Sequence, residues 1–438
     1  MAILSKEEAQ AILKKVLSYS KADACEISLN GSDGGNIRYA RNAVSTAGQI
    51  SVMGLSVNST FGKKTGSASI NEFDDASLKK VVQRSEELAQ LAPENPESMP
   101  LLGGQTFPES TTYNEKTAAM TPDTRAEMVG KSLSVAKAAN LDAAGFLENS
   151  TRFNSVMNSK GLFAYNKSTD VSFSVTIRNK EGTGSGYVEQ NFNDLSKMDV
   201  LALSKIAASK ATGSAGAKAI EPGKYTVILE PLAASDILGN MFRGFDARSA
   251  DEGRSFMSKK GGGTRLGEQL FSENVNIYSD PLNPELPSST WTGDGLAVKR
   301  TQWVKDGVVK NLSYSRFWAN KKGVEPLPFN RSIVLEGGTQ SLQDLIKSTE
   351  KGILVTRFWY IRSVDPQTLL LTGLTRDGTF YIENGEIKFP IKNFRFNESP
   401  IIMLNNVEAL GKPVRTGSGM IPPMKIKDFT FTSLSDAI

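Results

Sequence analysis

The chain has 438 residues, 39% hydrophobic and 22% charged, so it carries ample material for buried cores. Its 51 Lys and Arg against 47 Asp and Glu leave a formal charge of +4, too small a surplus to announce a nucleic-acid binder or a polybasic membrane protein. There is no histidine, and one cysteine, Cys25. That excludes Ser-His-Asp and Cys-His nucleophile systems, His-ligated zinc, copper and haem, an intrachain disulfide, and Cys-rich zinc or iron–sulfur centres.

At about 150 residues per domain the length suggests three folding units, or two large ones. Charge enters at Lys6 with no apolar stretch behind it, so the first residues do not read as a signal peptide. No apolar run approaches the roughly 20 residues of a membrane span. A single cysteine agrees with a reducing compartment, and a cytoplasmic protein is expected.

In chain order, residues 5–20 read as a helix, with Ser5 and Glu8 as a capping box and Ala9, Ile12, Leu13, Val16 and Leu17 on one face. Strands are predicted at 25–29, 36–39, 49–58 and 64–70, then a helix at 74–91 capped at Asp74 or Asp75. Residues 92–120, with Pro93, Pro96, Pro100 and Pro108, read as a long exposed connection. A helix at 122–139, opened by Thr121 and Pro122, leads into an antiparallel meander at 145–149, 151–158, 163–168, 170–179 and 183–190, closed by a helix at 194–212. The Gly- and Ala-rich stretch 212–223 is the clearest boundary. It separates an N-terminal α+β domain, 1–211, from a C-terminal β-rich domain, 224–438. The order of helices and strands hints at an internal duplication of the first half, with its own boundary near 92–120.

The second half opens with a strand at 225–229 and a helix at 232–245, followed by a loop-rich stretch, 258–296. Strands are expected at 297–305, 308–314, 353–363, 369–376, 378–383 and 391–396, and short helices at 341–347 and 399–410. Lys305-Asp306-Gly307, Arg376-Asp377-Gly378 and Glu383-Asn384-Gly385 predict tight hairpin turns. With no βαβ alternation, the fold class is α+β with antiparallel sheets and flanking helices.

No short motif identifies a function by itself. Gly261-Gly262-Gly263 could wrap a phosphate, but no Gly-Lys-Ser/Thr follows and no strand leads in, so a plain loop is the better reading. Asp246, Asp251 and Glu252, or Glu221 and Glu230, could hold a hard cation or form an acid/base pair, but they lack calcium-loop spacing and read as surface charge. Arg357-Phe358-Trp359-Tyr360-Ile361-Arg362 could stack bases or grip a peptide, and is equally a strand with one solvated face. Residues 411–424 read as a turn-rich segment, and Cys25 as a buried structural thiol.

Longer stretches carry more. The runs beginning at Glu221-Pro222-Gly223-Lys224-Tyr225, Ser315-Arg316-Phe317-Trp318 and Lys351-Gly352-Ile353-Leu354, and above all Gly373-Leu374-Thr375-Arg376-Asp377-Gly378-Thr379, resemble the TldD/PmbA family of metallopeptidases, once labelled modulators of DNA gyrase. The resemblance is to the TldE (PmbA) branch. It covers essentially the whole chain, more loosely in the first half through Arg38-Tyr39-Ala40-Arg41-Asn42 and the approach to Ala92-Pro93. It implies two domains and a dimer enclosing a cavity for extended, unfolded peptide.

In the TldD branch, the resemblance implies, a helix carries a His-Glu-x-x-x-His zinc motif and a later cysteine supplies the third ligand, so that metal-bound water is activated with the glutamate as base. Aligned here, the motif falls on residues 235–240. Ser235 and Asn240 stand at the histidine positions and Asp236 at the glutamate, and the third-ligand region, 415–419, has no cysteine. A hydroxyl and an amide are poor zinc ligands, and one carboxylate cannot hold the ion alone. No realignment restores imidazole to this chain.

The resulting expectation is a TldE-type chain with no catalytic residue, metal or cofactor of its own. It pairs with a TldD-like metallopeptidase subunit or with itself, and binds unfolded peptide by strand addition at a sheet edge. It has no membrane partner. Two other readings stand beside it. One is a hydrolase using a carboxylate-held metal or a Ser-Lys pair. The other is direct action on DNA gyrase or DNA, which the charge balance opposes.

Overall fold

The first helix forms where the sequence closes a capping box: Ser5 Oγ accepts from the N–H of Glu8 at 3.2 Å, and Glu8 Oε2 accepts from the N–H of Ser5 at 2.8 Å. It runs Lys6–Leu17 and buries Ala9, Leu13 and Val16. Asp74 caps the helix Asp75–Leu91, Thr121 the helix Pro122–Ala138, and Asp199 the helix Val200–Gly213. The computed structural model describes residues 3–417 and 419–436.

These four helices lie on one face of a six-stranded antiparallel sheet. In spatial order its strands are Lys64–Ile70, Ala43–Phe61, Ala24–Ala40, Asp142–Asn158, Phe163–Arg178 and Ser185–Phe192. Cys25, Ile27, Leu29, Ile37 and Tyr39 all point to the helical face, as a period of two requires. Cys25, Ile27 and Leu29 pack with Leu13, Val81 and Phe153 in one core. Ile37 and Tyr39 join Val129, Phe173 and Val175 in a second. The order helix, three strands, helix occurs twice along the chain, and the sheet order is symmetric about the seam between Ala24–Ala40 and Asp142–Asn158.

The sequence reading breaks residues 25–39 into two strands at the glycines, and breaks 145–158 and 163–179 as well. The structure runs each as one long strand. Gly34 and Gly35 do not turn the chain. A Cβ on Gly34 would lie 2.3 Å from the carbonyl oxygen of Asn149, and one on Gly35 2.4 Å from the Arg125 guanidinium. Arg125 is buried between the two cores and donates to Asn149 Oδ1 at 2.7 Å. The glycines mark close approach, not a break.

Gly186 serves the second helical pair in the same way, since a Cβ there would sit 2.1 Å from the carbonyl oxygen of Ala207 on the helix Val200–Gly213. Backbone cannot rotate away as a side chain can. Gly186→Val is therefore expected to cost about 2–3 kcal/mol, read as a lowered urea midpoint, with Lys205→Ala on the exposed side of that helix near neutral.

In the second half, Lys224–Leu229, Met424–Ser435, Asn393–Glu398, Leu370–Glu383 and Lys351–Asp365 pair in that order, and Lys351–Asp365 pairs back onto Lys224–Leu229, closing a five-stranded barrel. The closing pair is parallel and the others antiparallel. A second sheet runs Val308–Val309, Thr301–Lys305, Ile277–Ser279, Ile333–Leu335, Gly419–Ile421, Val414–Thr416. The helix Pro231–Phe242 shares one core with both, through Ile237, Met241, Val227, Trp303, Leu335 and Phe358.

Two expected hairpin turns form, with left-handed φ at Asp306 and Gly307 and at Asn384 and Gly385. The third does not. Leu370–Glu383 passes straight through Asp377 and Gly378, whose φ values of 56° and 121° belong to a bulge where the register slips between Val355↔Thr379 and Arg357↔Arg376. Residues 399–410 divide into a helix, Pro400–Asn405, and a strand, Val407–Leu410.

The proline-rich 92–120 stretch is also not a free connection. Thr112 and Thr117 are buried, and Thr112 Oγ1 donates to the carbonyl of Lys167. Thr290 Oγ1 reaches from the second half to the carbonyl of Pro108 at 2.8 Å, and Arg248 holds Glu97 with two bonds of 2.8 Å. The segment straps the two halves together. Among the described residues, no helix is long and apolar enough to cross a membrane.

Candidate functional site

The helix Pro231–Phe242 starts where Pro231 fixes φ at its first turn, directly after the barrel strand Lys224–Leu229. Its cap residue, Glu230, does not bond the helix end. Its carboxylate pairs with Lys210 at 2.6 Å and accepts from Thr356 Oγ1 at 3.3 Å. Ala233, Ala234, Ile237, Leu238 and Met241 bury one face. Ser235, Asp236 and Asn240 are half-buried and lie off that face.

Asp236 Oδ2 accepts from the N–H of Phe358 at 3.0 Å. Phe358 is itself fixed in the barrel core, stacked on Phe429 at 5.6 Å and tilted against Phe396 at 4.6 Å. Burial pushes the Asp236 carboxyl up to about 7, against the Phe358 N–H and the nearby Arg357, which favour the anion, and with Glu189, which opposes it. Asn240 Nδ2 donates back to the carbonyl of Asp236 at 3.0 Å.

Around this helix the two halves meet through charge and aromatic rings. Arg357 lies 3.9 Å over the Tyr187 ring and 5.0 Å from Trp359, and Arg376 lies 5.0 Å from the same indole. Between them is Asp377, 3% exposed. It accepts from Ser185 Oγ at 2.5 Å and faces Arg357 at 3.5 Å and Arg376 at 3.9 Å. Tyr187 donates to Glu189 Oε2 at 2.7 Å. Next along the strand, Tyr360 adopts φ 55° in a bulge, which turns Trp359 and Tyr360 outward while Phe358 points in.

The third-ligand region lies against the same helix, which packs on Val414–Thr416 and Gly419–Ile421. Ser418 lies outside the described residues. Arg415 donates to the carbonyl of Glu285 at 2.8 Å, and its own carbonyl accepts from Gln190 Nε2 at 3.0 Å. Gln190 Oε1, Asn191 Oδ1, Arg357 Nε, Arg415 Nε and Thr416 Oγ1 are enclosed without a hydrogen-bond partner among the described residues. These five atoms fall where the strand Ser185–Phe192 of the first half packs on the second.

This set does not fit zinc. Ser235 offers a neutral hydroxyl, Asn240 an amide engaged with the helix backbone, and Asp236 a carboxyl that already receives an N–H. Among the described residues no three His, Cys, Asp or Glu side chains come together to hold a metal ion. Cys25 lies buried in the first core. The carboxylates singled out in sequence disperse: Asp246 caps the helix Ala247–Asp251, Asp251 accepts from Trp318 Nε1, and Glu252 pairs with Arg248 and Arg254. Asp377, at the centre of the array, is missed as a buried ion-pair residue because Asp-Gly reads locally as a turn. The signal that held it was the long Gly373–Thr379 run.

Fold and site together describe a two-part α+β protein with the helix Pro231–Phe242 packed between a closed barrel and a second sheet. Three family models match: PmbA/TldA metallopeptidase domain 1 over residues 25–89, the central domain over 110–215, and the C-terminal domain over 222–433. The chain belongs to the PmbA/TldD metallopeptidase family. Metalloprotease PmbA of Escherichia coli O157:H7 is 22% identical, with 97% of this chain and 98% of that protein covered. A metalloprotease of Methanothermobacter thermautotrophicus is 25% identical over 62% of each chain, so the match spans less than two thirds of that relative. TldE from Thermococcus kodakarensis shares the fold at a TM-score of 0.86 and 18% identity, covering 98% of this chain and all of that one. A proposed modulator of a DNA gyrase from Thermotoga maritima MSB8 does so at 0.87 and 17% identity, over 97% and 100%.

Proposed function

We propose that this chain is a non-catalytic, TldE-type subunit that binds extended, unfolded peptide and pairs with a TldD-like metallopeptidase or with a second copy of itself, in the cytoplasm. The observation that carries this reading is the state of the motif helix, where Asp236 is tied to the Phe358 N–H and Asn240 to its own helix backbone. Such groups hold a wall in place and leave no ligand set for an ion.

A sheet edge supports the peptide part. In Ala43–Phe61, residues 55–61 pair with Lys64–Ile70, whereas 43–54 have no strand on that side among the described residues. That strand contains no charge and no proline, and Val44, Ile50 and Val52 are exposed. An open edge without such guards is a template for strand addition, which reads backbone and so suits varied peptides.

The test is calorimetric titration of the chain with an unfolded casein fragment and with a TldD-like subunit, beside a casein-cleavage assay of the chain alone with and without chelator. Heat in both titrations and no turnover are expected. Chelator-sensitive cleavage by the chain alone, or no heat in either titration, overturns the reading. Ile50→Lys/Val52→Lys is expected to weaken peptide binding about tenfold or more with unchanged circular dichroism, because both side chains are already in water.

A further inference from the structure

A second site lies beside the last turn of the motif helix. It is a cavity of about 450 Å³, within the range of small-ligand pockets. Its wall is apolar: Phe242 and Phe329, their rings 6.5 Å apart, with Ile333. Its rim carries Arg243 and Arg331. Neither guanidinium makes an ion pair among the described residues, whereas Arg248, Arg254 and Arg357 in the same half each face a carboxylate. The one acid in the lining, Asp246, is engaged as a helix cap, accepting from the N–H of Ser249 at 2.7 Å. The cavity therefore presents two unspent cations against one occupied carboxylate, above an aromatic wall.

Gly239 supplies a separate observation. It sits in the interior of the helix, exposed, where glycine costs about 1 kcal/mol against alanine. Nothing lies within 4 Å of where its Cβ would be, so tight packing does not explain it. It lines the cavity on the same side of the helix as Ser235, one turn earlier. The missing side chain leaves an open lip between the Ser235–Asp236 region and the arginines.

We propose that this cavity captures the C-terminal carboxylate and last apolar side chain of an extended peptide lying along the motif helix. A guanidinium pair reads a carboxylate through planar, charge-assisted bonds, and the aromatic wall takes an aromatic or aliphatic terminal side chain. The assignment rests on the reading that this chain binds extended peptide, and names a contact separate from the open strand edge: the peptide's C-terminus lies at Arg243 and Arg331, and its preceding residues pass Gly239 toward Asp236.

The test is fluorescence anisotropy with a short unfolded peptide ending in phenylalanine, as the free acid and as the C-terminal amide. Amidation is expected to weaken binding about tenfold or more. Arg243→Gln and Arg331→Gln should bring the free acid down to the level of the amide and leave the amide unchanged. Both residues are exposed, so neither substitution threatens the fold. Equal binding of acid and amide overturns this assignment and leaves the peptide-binding reading standing. If neither peptide binds, that reading falls, and the cavity is then judged alone by NMR with N-acetylphenylalanine and its amide. A preference for the acid that both arginine variants abolish upholds the cavity, and no such preference overturns it.

Discussion

Asp377→Ala is expected to lower the stability of this protein by about 3–5 kcal/mol, the cost of leaving buried charge unpaired. The carboxylate is 3% exposed and is the one acid that faces both Arg357 and Arg376 in the ion pairs of this seam. Removing it leaves two guanidinium groups facing each other over Trp359, with the hydroxyl of Ser185 deprived of its acceptor. Alanine at φ 56° adds backbone strain that aspartate and asparagine tolerate. Asp377→Asn separates the two effects, since it keeps the acceptor and the backbone preference and loses only the charge. Urea unfolding should rank wild type above Asp377→Asn and Asp377→Asn above Asp377→Ala. Equal midpoints for wild type and Asp377→Asn would show that the charge does not hold the seam. Because Ser185 belongs to the first half and Asp377 to the second, the loss should appear as earlier exposure of the edge strand Ser185–Phe192 in hydrogen exchange.

The second large effect runs the other way. Asp236→Asn is expected to stabilise the protein above neutral pH, by up to about 4 kcal/mol, and to do nothing below about pH 4. Burial raises the folded Asp236 carboxyl from its ordinary value of 3.8 to about 7. Between those limits the folded state holds a proton that the unfolded chain has released, so stability falls as pH rises through that window. Below it both states are protonated and the difference vanishes. Asparagine removes the titration and can still accept from the Phe358 N–H through its carbonyl oxygen. Guanidine unfolding of both proteins at several pH values checks this. Parallel stability curves would show that Asp236 is solvated and remains ionised throughout.

Much of the local structure was legible in sequence because its causes lie within a few residues. The Ser5–Glu8 box, the Thr121–Pro122 start and the Asp306-Gly307 and Asn384-Gly385 turns are set by side chains that bond their own neighbours or tolerate left-handed backbone. Two of the errors share one cause. Gly34-Gly35 and Asp377-Gly378 read as breaks because glycine favours turns. In the fold the first pair makes room for Arg125 and Asn149, and the second forms a bulge against Arg357. A glycine that admits a distant neighbour and a glycine that turns the chain look the same until the neighbour is in place. The same holds for Arg243 and Arg331, far apart in the chain and joined only across one cavity.

By itself, the sequence determined the donor inventory: no imidazole anywhere and a single thiol, a property of composition that no arrangement of the backbone can change. It also determined helix ends and hairpin turns, whose energies are local. Only the tertiary structure decided that the helix Pro231–Phe242 lies against Val414–Thr416 and Gly419–Ile421, that Asp236 is half-buried and held by Phe358, and that Asp377 is a buried seam residue instead of a turn tip. Those outcomes depend on contacts between residues remote in sequence, whose desolvation and pairing exist only once the two halves have packed.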